Sequence, residues 1–414
     1  MNDSPSLRDS LIDKTIAAVV ETGLESVSLR AVVNAVGCST TAIFGYFGNK
    51  SGLLQASLKQ ALEEDRQFLD DFAHHTRGLT LDHQSFSALL ASYIELRAKT
   101  RAASFWSEVV FKSRQFPEPE ANEIIRNWYE MHLVFWQSKL EQSTCNEDLG
   151  SVLVAYSVTE QAYSLALHTN LEYLLLLRES CSAITAKSFG AHRDSVSSQV
   201  WIWLESGSPR FSIEPTQARN PLCQRLLDQA AKHIILQGVD KANIAKIAKD
   251  AGTSSAMVLY HFGTMAAFTN EAIWKAIVLK VPEEMIPVIK NGHSQKPPDS
   301  WVDVVRGLVN RPVGSKSTYK NFYLKVARII GQTSLLCQHN PELKPLIDQL
   351  RINEGVSIHH IYKNFAKDGG EIGRSTSGIF GLWLKGQVII DDIFSHSCEQ
   401  TEAKIMAAVS KLTF

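Results

Sequence analysis

The side chains best able to do chemistry in this chain of 414 residues sit in two short stretches that repeat each other. GCSTTAIFGYFGNK, residues 37 to 50, and GTSSAMVLYHFGTM, residues 252 to 265, pair Gly37 with Gly252, Ser39 with Ser254, Phe47 with Phe262 and Gly48 with Gly263, all at an offset of 215. They offer binding chemistry: hydroxyls that can hydrogen-bond a base edge or a phosphate, and apolar groups that can meet a thymine methyl. Catalytic chemistry has no such anchor. G-x-S-x-G, G-x-x-x-x-G-K-[ST] and H-E-x-x-H are all missing from the sequence, so no enzyme activity and no cofactor are expected. The pairs His74-His75, His359-His360 and Asp391-Asp392 are neighbours in sequence. Adjacent residues on a helix diverge by about 100°, which makes these pairs poor metal sites and suits solvated faces. Cysteines 38, 145, 181, 223, 337 and 398 lack C-x-x-C spacing and read as reduced thiols, not a zinc site or a disulfide framework.

The elements that must position these stretches are helices. Strand signals are nearly absent, and apolar residues recur at helical spacing between short Gly, Pro, Asn and Ser clusters. Each stretch ends a set of three short helices. In the first set Leu11, Ile12, Ile16, Val19 and Val20 make one stripe and Gly23 stops it. Ser28 caps a helix with Leu29, Val32, Val33 and Val36 on one face, Gly37 turns the chain, and Ser39 caps a third helix that buries Ile43 and Phe47. The second set repeats this with Leu226, Leu227, Ala231, Ile234 and Ile235, then Gly238, the cap Asn243, then Gly252, Ser254, Val258 and Phe262. Helix, glycine turn, helix is the helix-turn-helix arrangement, present twice in one register. Longer helices follow. They are expected near 50–76, 82–99, 101–114, 119–143, 147–178 and 184–205 in the first half. In the second half they are expected near 265–290, 299–310, 316–338, 342–367, 374–395 and 399–412, with Asn49 and Thr264 as equivalent caps of the first helix in each set. The fold class is therefore all-α, two tandem units: heads at 1–50 and 221–265, bodies at 51–205 and 266–414, and a Pro- and Ser-rich linker at 206–220.

The stretches GCSTTAIFGYFGNKSGLL and GTSSAMVLYHFGTMAAF resemble the signature of the TetR family of transcriptional regulators, with Lys50 and Leu53 where the family pattern has them. The resemblance implies a three-helix DNA-binding head on a helical body that binds a ligand and dimerises. In a helix-turn-helix the second helix lies in the major groove. Its outward positions are Thr40, Thr41, Phe44, Gly45 and Tyr46 in the first head and Ser255, Ala256, Leu259, Tyr260 and His261 in the second. Ser28, Arg30, Tyr46 and Lys50 are the phosphate candidates, with Asn243 in the second head. The two copies depart from the pattern differently. Phe44 and Leu259 replace the usual tyrosine, and Met265 replaces the lysine that Lys50 retains. Residues 1–60 carry five basic and five acidic side chains, whereas 216–275 carry seven and four, with Lys241, Lys246 and Lys249 among them.

The bodies are rich in aromatics, and Phe105, Trp106, Trp128, Phe135, Tyr163, Phe322 and Trp383 are candidates to line a pocket for a small apolar or aromatic effector. The partners expected are a double-stranded DNA operator and that effector, with no membrane. No run approaches the roughly 20 apolar residues of a membrane span, and MNDSPSLRDS has no signal-peptide core, so a cytoplasmic protein is expected. Two heads in one polypeptide imply a pseudodimer that reads a pseudo-palindromic operator and is expected to act as a repressor released by the effector. Its bodies should be joined by a four-helix bundle of the helices near 147–205 and 374–412. The alternative is a helical ligand-sensing or interaction module whose heads, one or both, do not bind DNA.

Overall fold

The computed structural model describes residues 5–112, 119–145, 148–190, 198–207, 220–278, 322–356, 358–359 and 373–412. The helix expected near 299–310 lies outside them, as do residues 208–219 of the expected linker. The described residues are helical throughout, with an isolated bridge between Leu81 and Ser143 in place of any strand.

Each head is built alike. The first comprises α1 (Leu7–Thr22), α2 (Leu29–Val36) and α3 (Thr40–Phe47), and runs into α4 (Lys50–His75). Ser6 caps α1 by accepting from the Asp9 amide, while Leu11, Ile12, Ile16 and Val19 form its buried stripe. Gly37 ends α2 at φ 79° and ψ 31°, a left-handed conformation that a side chain would strain. Its counterpart Gly252 has φ 74°. Between α2 and α3, Val32, Val33 and Ile43 are buried against α1 and α4.

The first body continues through α5 (His83–Arg97), α6 (Arg101–Phe111), α7 (Pro119–Glu141), α8 (Gly150–Leu167), α9 (Leu171–Ala186) and α10 (Gln199–Gly207). The single helix expected near 147–178 is thus two. Asn170 breaks it, because its side chain accepts from the Glu172 and Tyr173 amides and starts α9 as a cap. The second head is α11 (Pro221–Gln237), α12 (Ile244–Asp250) and α13 (Ser255–Phe262), followed by α14 (Met265–Val278). The described part of the second body holds α15 (Phe322–Cys337), α16 (Lys344–Ile352), α17 (Arg374–Ile393) and α18 (Cys398–Leu412).

The halves join across α8 and α17, which are buried nearly all round, their few charged residues included. They cross so closely that a Cβ on Gly386 would overlap the Ala155 carbonyl. A second crossing pairs α6 with α15, where Phe111 covers Gly331 and the Arg328 guanidinium donates to the Phe111 carbonyl at 2.7 Å. The joint is therefore broader than the four terminal helices expected. α9 does meet α17, but α18 packs on α17, and α6, α10, α15 and α16 add contacts between the halves. Burial of α15 on nearly every face explains the difference, since Lys325, Arg328 and Thr333 are buried along with its apolar residues and other helices must cover them all.

Charge is buried in both places. On α8, Glu160 accepts from Arg351 of α16 through two bonds of 2.9 Å, and Arg351 also donates to Ser180. In the first body Asp65 of α4 accepts from Arg97 at 2.9 and 2.7 Å, from the Trp128 indole at 2.8 Å and from His132 at 2.9 Å. Burial alone would raise the Asp65 carboxyl, but the charge of Arg97 and the bonds from Arg97 and His132 outweigh it and hold Asp65 well below the usual carboxylate range. Burial pushes His132 down, so the ring is neutral at pH 7, its Nε2–H donating to Asp65 while Nδ1 accepts from the Tyr93 hydroxyl. This cluster ties α4, the helix that leaves the first head, to α5 and α7.

Candidate nucleic-acid interface

In both heads the second helix of the helix-turn-helix stands on a buried inner edge with an open outer face. Ile43 is fully buried and Phe47 half-buried; opposite them Thr40, Thr41, Phe44, Gly45 and Tyr46 are exposed, Phe44 by 57%. In α13, Val258 and Phe262 are buried while Ser255, Ala256, Leu259 and Tyr260 are exposed, Tyr260 by 78%. His261 departs from the expectation. It is half-buried, its ring centre 5.0 Å from that of Tyr260.

The helix starts differ from expectation as well. Ser28, Ser39 and Ser254 occupy the cap positions in extended conformation, yet none of their hydroxyls bonds a helix amide. Asn243 does, accepting from the Lys246 amide at 3.0 Å. The first amides of α3 and α13 therefore lack side-chain caps, and amides at a helix N-terminus are natural donors to a phosphate. Asn49 and Thr264 cap the next helices as expected, accepting from Gly52 at 2.9 Å and Ala267 at 3.1 Å. Arg30 and Ser28 are exposed on the approach to α2. Lys50 is half-buried, and its ammonium donates to the Val27 carbonyl at 2.8 Å, which holds the start of α2 to the start of α4. An ammonium has three donors, so that bond leaves others for a phosphate.

Gly45 has no protein atom within 4 Å of where a Cβ would stand. Packing gives no reason for a glycine in this helix, where it costs about 1 kcal/mol against alanine. At the equivalent position the second head has Tyr260.

The sequence reading missed how the heads are held together. The Leu24 amide donates to Glu108 of α6 at 2.8 Å, and the Val239 amide, at the same place in the second head, donates to Gln332 of α15 at 3.3 Å. From the first body Lys112 bonds Asp240 of the second head at 2.9 Å, and across the heads Lys241 pairs with Glu25. The signal available was Glu108 and Lys112, two charges four residues apart around the apolar run Val109–Phe111.

The family described as "Bacterial regulatory proteins, tetR family" matches residues 11–57 and again 226–272, the two heads. Each head belongs to the TetR family. Among TetR-family relatives, the HTH-type transcriptional regulator BetI of Serratia proteamaculans is 24% identical over 217 residues, covering 52% of this chain and 87% of that protein. BetI of Vibrio parahaemolyticus is 28% identical over 106 residues, 25% of this chain and 52% of the relative. BetI 2 of Chromohalobacter salexigens is 38% identical over 60 residues, 14% of this chain and 29% of its own length. The chain thus spans about half the length, 52%, of the Vibrio regulator it matches.

The residues expected to line an effector pocket do not gather round one TetR-type cavity. Phe105, Trp106, Trp128, Tyr163, Phe322 and Trp383 are packed core: Trp106 stacks on Trp128 at 5.2 Å, and the Tyr163 hydroxyl donates to Glu354 at 2.7 Å. Phe135 is the exception, since it lines a large groove between α4 and α7. Among the described residues no helix is long and apolar enough to cross a membrane, and no group of three or more His, Cys, Asp or Glu could hold a metal ion.

Proposed function

We propose that this TetR-family regulator uses its two heads as the two readers of a single pseudo-palindromic operator, represses transcription from it in the cytoplasm, and is released by a small molecule held in a body. The unit boundaries set out above, with heads at 1–50 and 221–265 on bodies 51–205 and 266–414, belong to this reading. The observation that carries it is the pair of open outer faces on α3 and α13, each beside a helix start without a side-chain cap. Thr40, Thr41, Phe44, Gly45 and Tyr46 would face one half-site, and Ser255, Ala256, Leu259 and Tyr260 the other, with His261 behind them. Ser28, Arg30, Lys50 and Asn243 would hold the backbone.

The readers differ, so the half-sites should differ. Tyr260 projects where Gly45 leaves space, and each lost base contact costs about 1–3 kcal/mol. Fragments of the source genome selected by the purified chain give the natural site. Replacing one half-site by a copy of the other should then weaken binding in an anisotropy titration, and the two duplications should weaken it unequally. Equal affinity for a perfect palindrome would mean that the heads read alike. No retained fragment at all would favour the rival reading, an interaction module with silent heads.

Lys50→Ala should weaken binding across sequences and lower the salt slope of log K by about one. A slope equal to that of the unsubstituted chain would confine Lys50 to its bond with Val27.

A further inference from the structure

We propose that the groove between α4 and α7 of the first body binds an amphipathic monoanion, its carboxylate on Lys139 and its apolar part along Leu69, Met131 and Val134. The groove has a volume of about 1080 Å³, ample for a small ligand. Lys139, a residue only 3% exposed, lines the groove. Its ammonium donates to the Thr76 hydroxyl at 3.0 Å and lies 5.9 Å from the centre of the Phe135 ring. Among the described residues no carboxylate comes within ion-pairing distance of it.

A buried cation is ordinarily paired. Lys139 has a neutral partner for one of its three donors, and burial lowers its basicity with no opposing charge to offset the loss. An anion arriving in the groove supplies what is missing. The rim carries both signs, Arg66, Arg77 and His74 against Asp70 and Glu130. The acidic pair disfavours a second negative charge, so a monocarboxylate fits better than a phosphate. A cationic ligand would meet the ammonium unscreened. The tail has a place as well, because Val134 on the groove wall is 63% exposed and offers it apolar surface.

This names the ligand class for the effector reading above, and rests on it only for the regulatory consequence. The experiment is calorimetric titration of the full chain with decanoate, 1-decanol and decyltrimethylammonium. Decanoate should bind saturably and the cation should not. Lys139→Met should weaken decanoate by about ten- to a hundredfold, the value of one charge-assisted hydrogen bond. Val134→Asp, on the exposed wall, should leave the melting temperature unchanged and abolish decanoate binding by repulsion. The proposal is overturned if decanoate fails to bind, if the cation binds as tightly, or if both variants bind decanoate like the unsubstituted chain. Anisotropy on the operator separates the two readings: decanoate that binds without altering DNA affinity supports the site and removes its regulatory role.

Discussion

Arg351→Ala should lower the unfolding free energy by about 3–5 kcal/mol, the usual result of removing one partner of a buried ion pair. Glu160 is fully buried, and its carboxylate takes both of its strong bonds from Arg351. With the guanidinium gone, that charge has neither water nor a counter-ion. The loss falls on the joint between the halves, since Glu160 lies on α8 and Arg351 on α16. Trp201 reports on it directly: its ring centre is 5.8 Å from the Arg351 guanidinium. Denaturant unfolding followed by tryptophan emission gives the size of the effect. Replacing both partners by residues of similar volume, Glu160→Leu with Arg351→Met, should recover most of the stability, because no buried charge remains. A single variant that costs under about 1 kcal/mol would show that water reaches the pair.

Asp65→Ala should be as damaging, and should also change how stability depends on pH. It leaves Arg97 buried without its acid, at a cost of about 3–5 kcal/mol. In the unsubstituted chain Asp65 is held below the usual carboxylate range, so its stabilisation is complete above the unfolded value of about 3.9 and is lost as pH falls below it. His132 is also held low; below about 6.5 the unfolded chain takes up a proton that the folded ring resists. Both effects have the same sign: stability should fall as pH drops, first from about 6.5 and more steeply from about 4. Asp65→Asn should keep the upper part of this profile and flatten the lower part. An unchanged lower limb would assign the acid sensitivity to other carboxylates.

The heads were legible in the sequence because their information is local. Three glycines, two stripes and an offset of 215 recur within about 60 residues, and each signal concerns backbone conformation that neighbours in sequence decide. The same signals overreach where a hydroxyl has a choice: Ser28, Ser39 and Ser254 stand in cap positions without capping. In the bodies the decisive contacts are distant. Glu160 looks misplaced in VLVAYSVTEQAYSLAL until Arg351, 191 residues later, arrives beside it. Asp65, Arg97 and His132 come from three helices and share no spacing. All the aromatic residues read as pocket candidates except Phe135 are packed core, because aromatic content reports burial and says nothing of whether the buried space is filled.

The pairing of Glu160 with Arg351 has a further consequence for how such a molecule can change over generations. In a dimer of identical subunits every substitution is made twice, once on each side of the axis, so a new charge near the axis meets its own copy. Covalent linkage of unlike halves removes that constraint, because an acid on one side can be answered by a base on the other. The same freedom extends to α3 and α13, where Gly45 and Tyr260 have already parted. A single substitution in one of these helices leaves its counterpart in the other head unchanged.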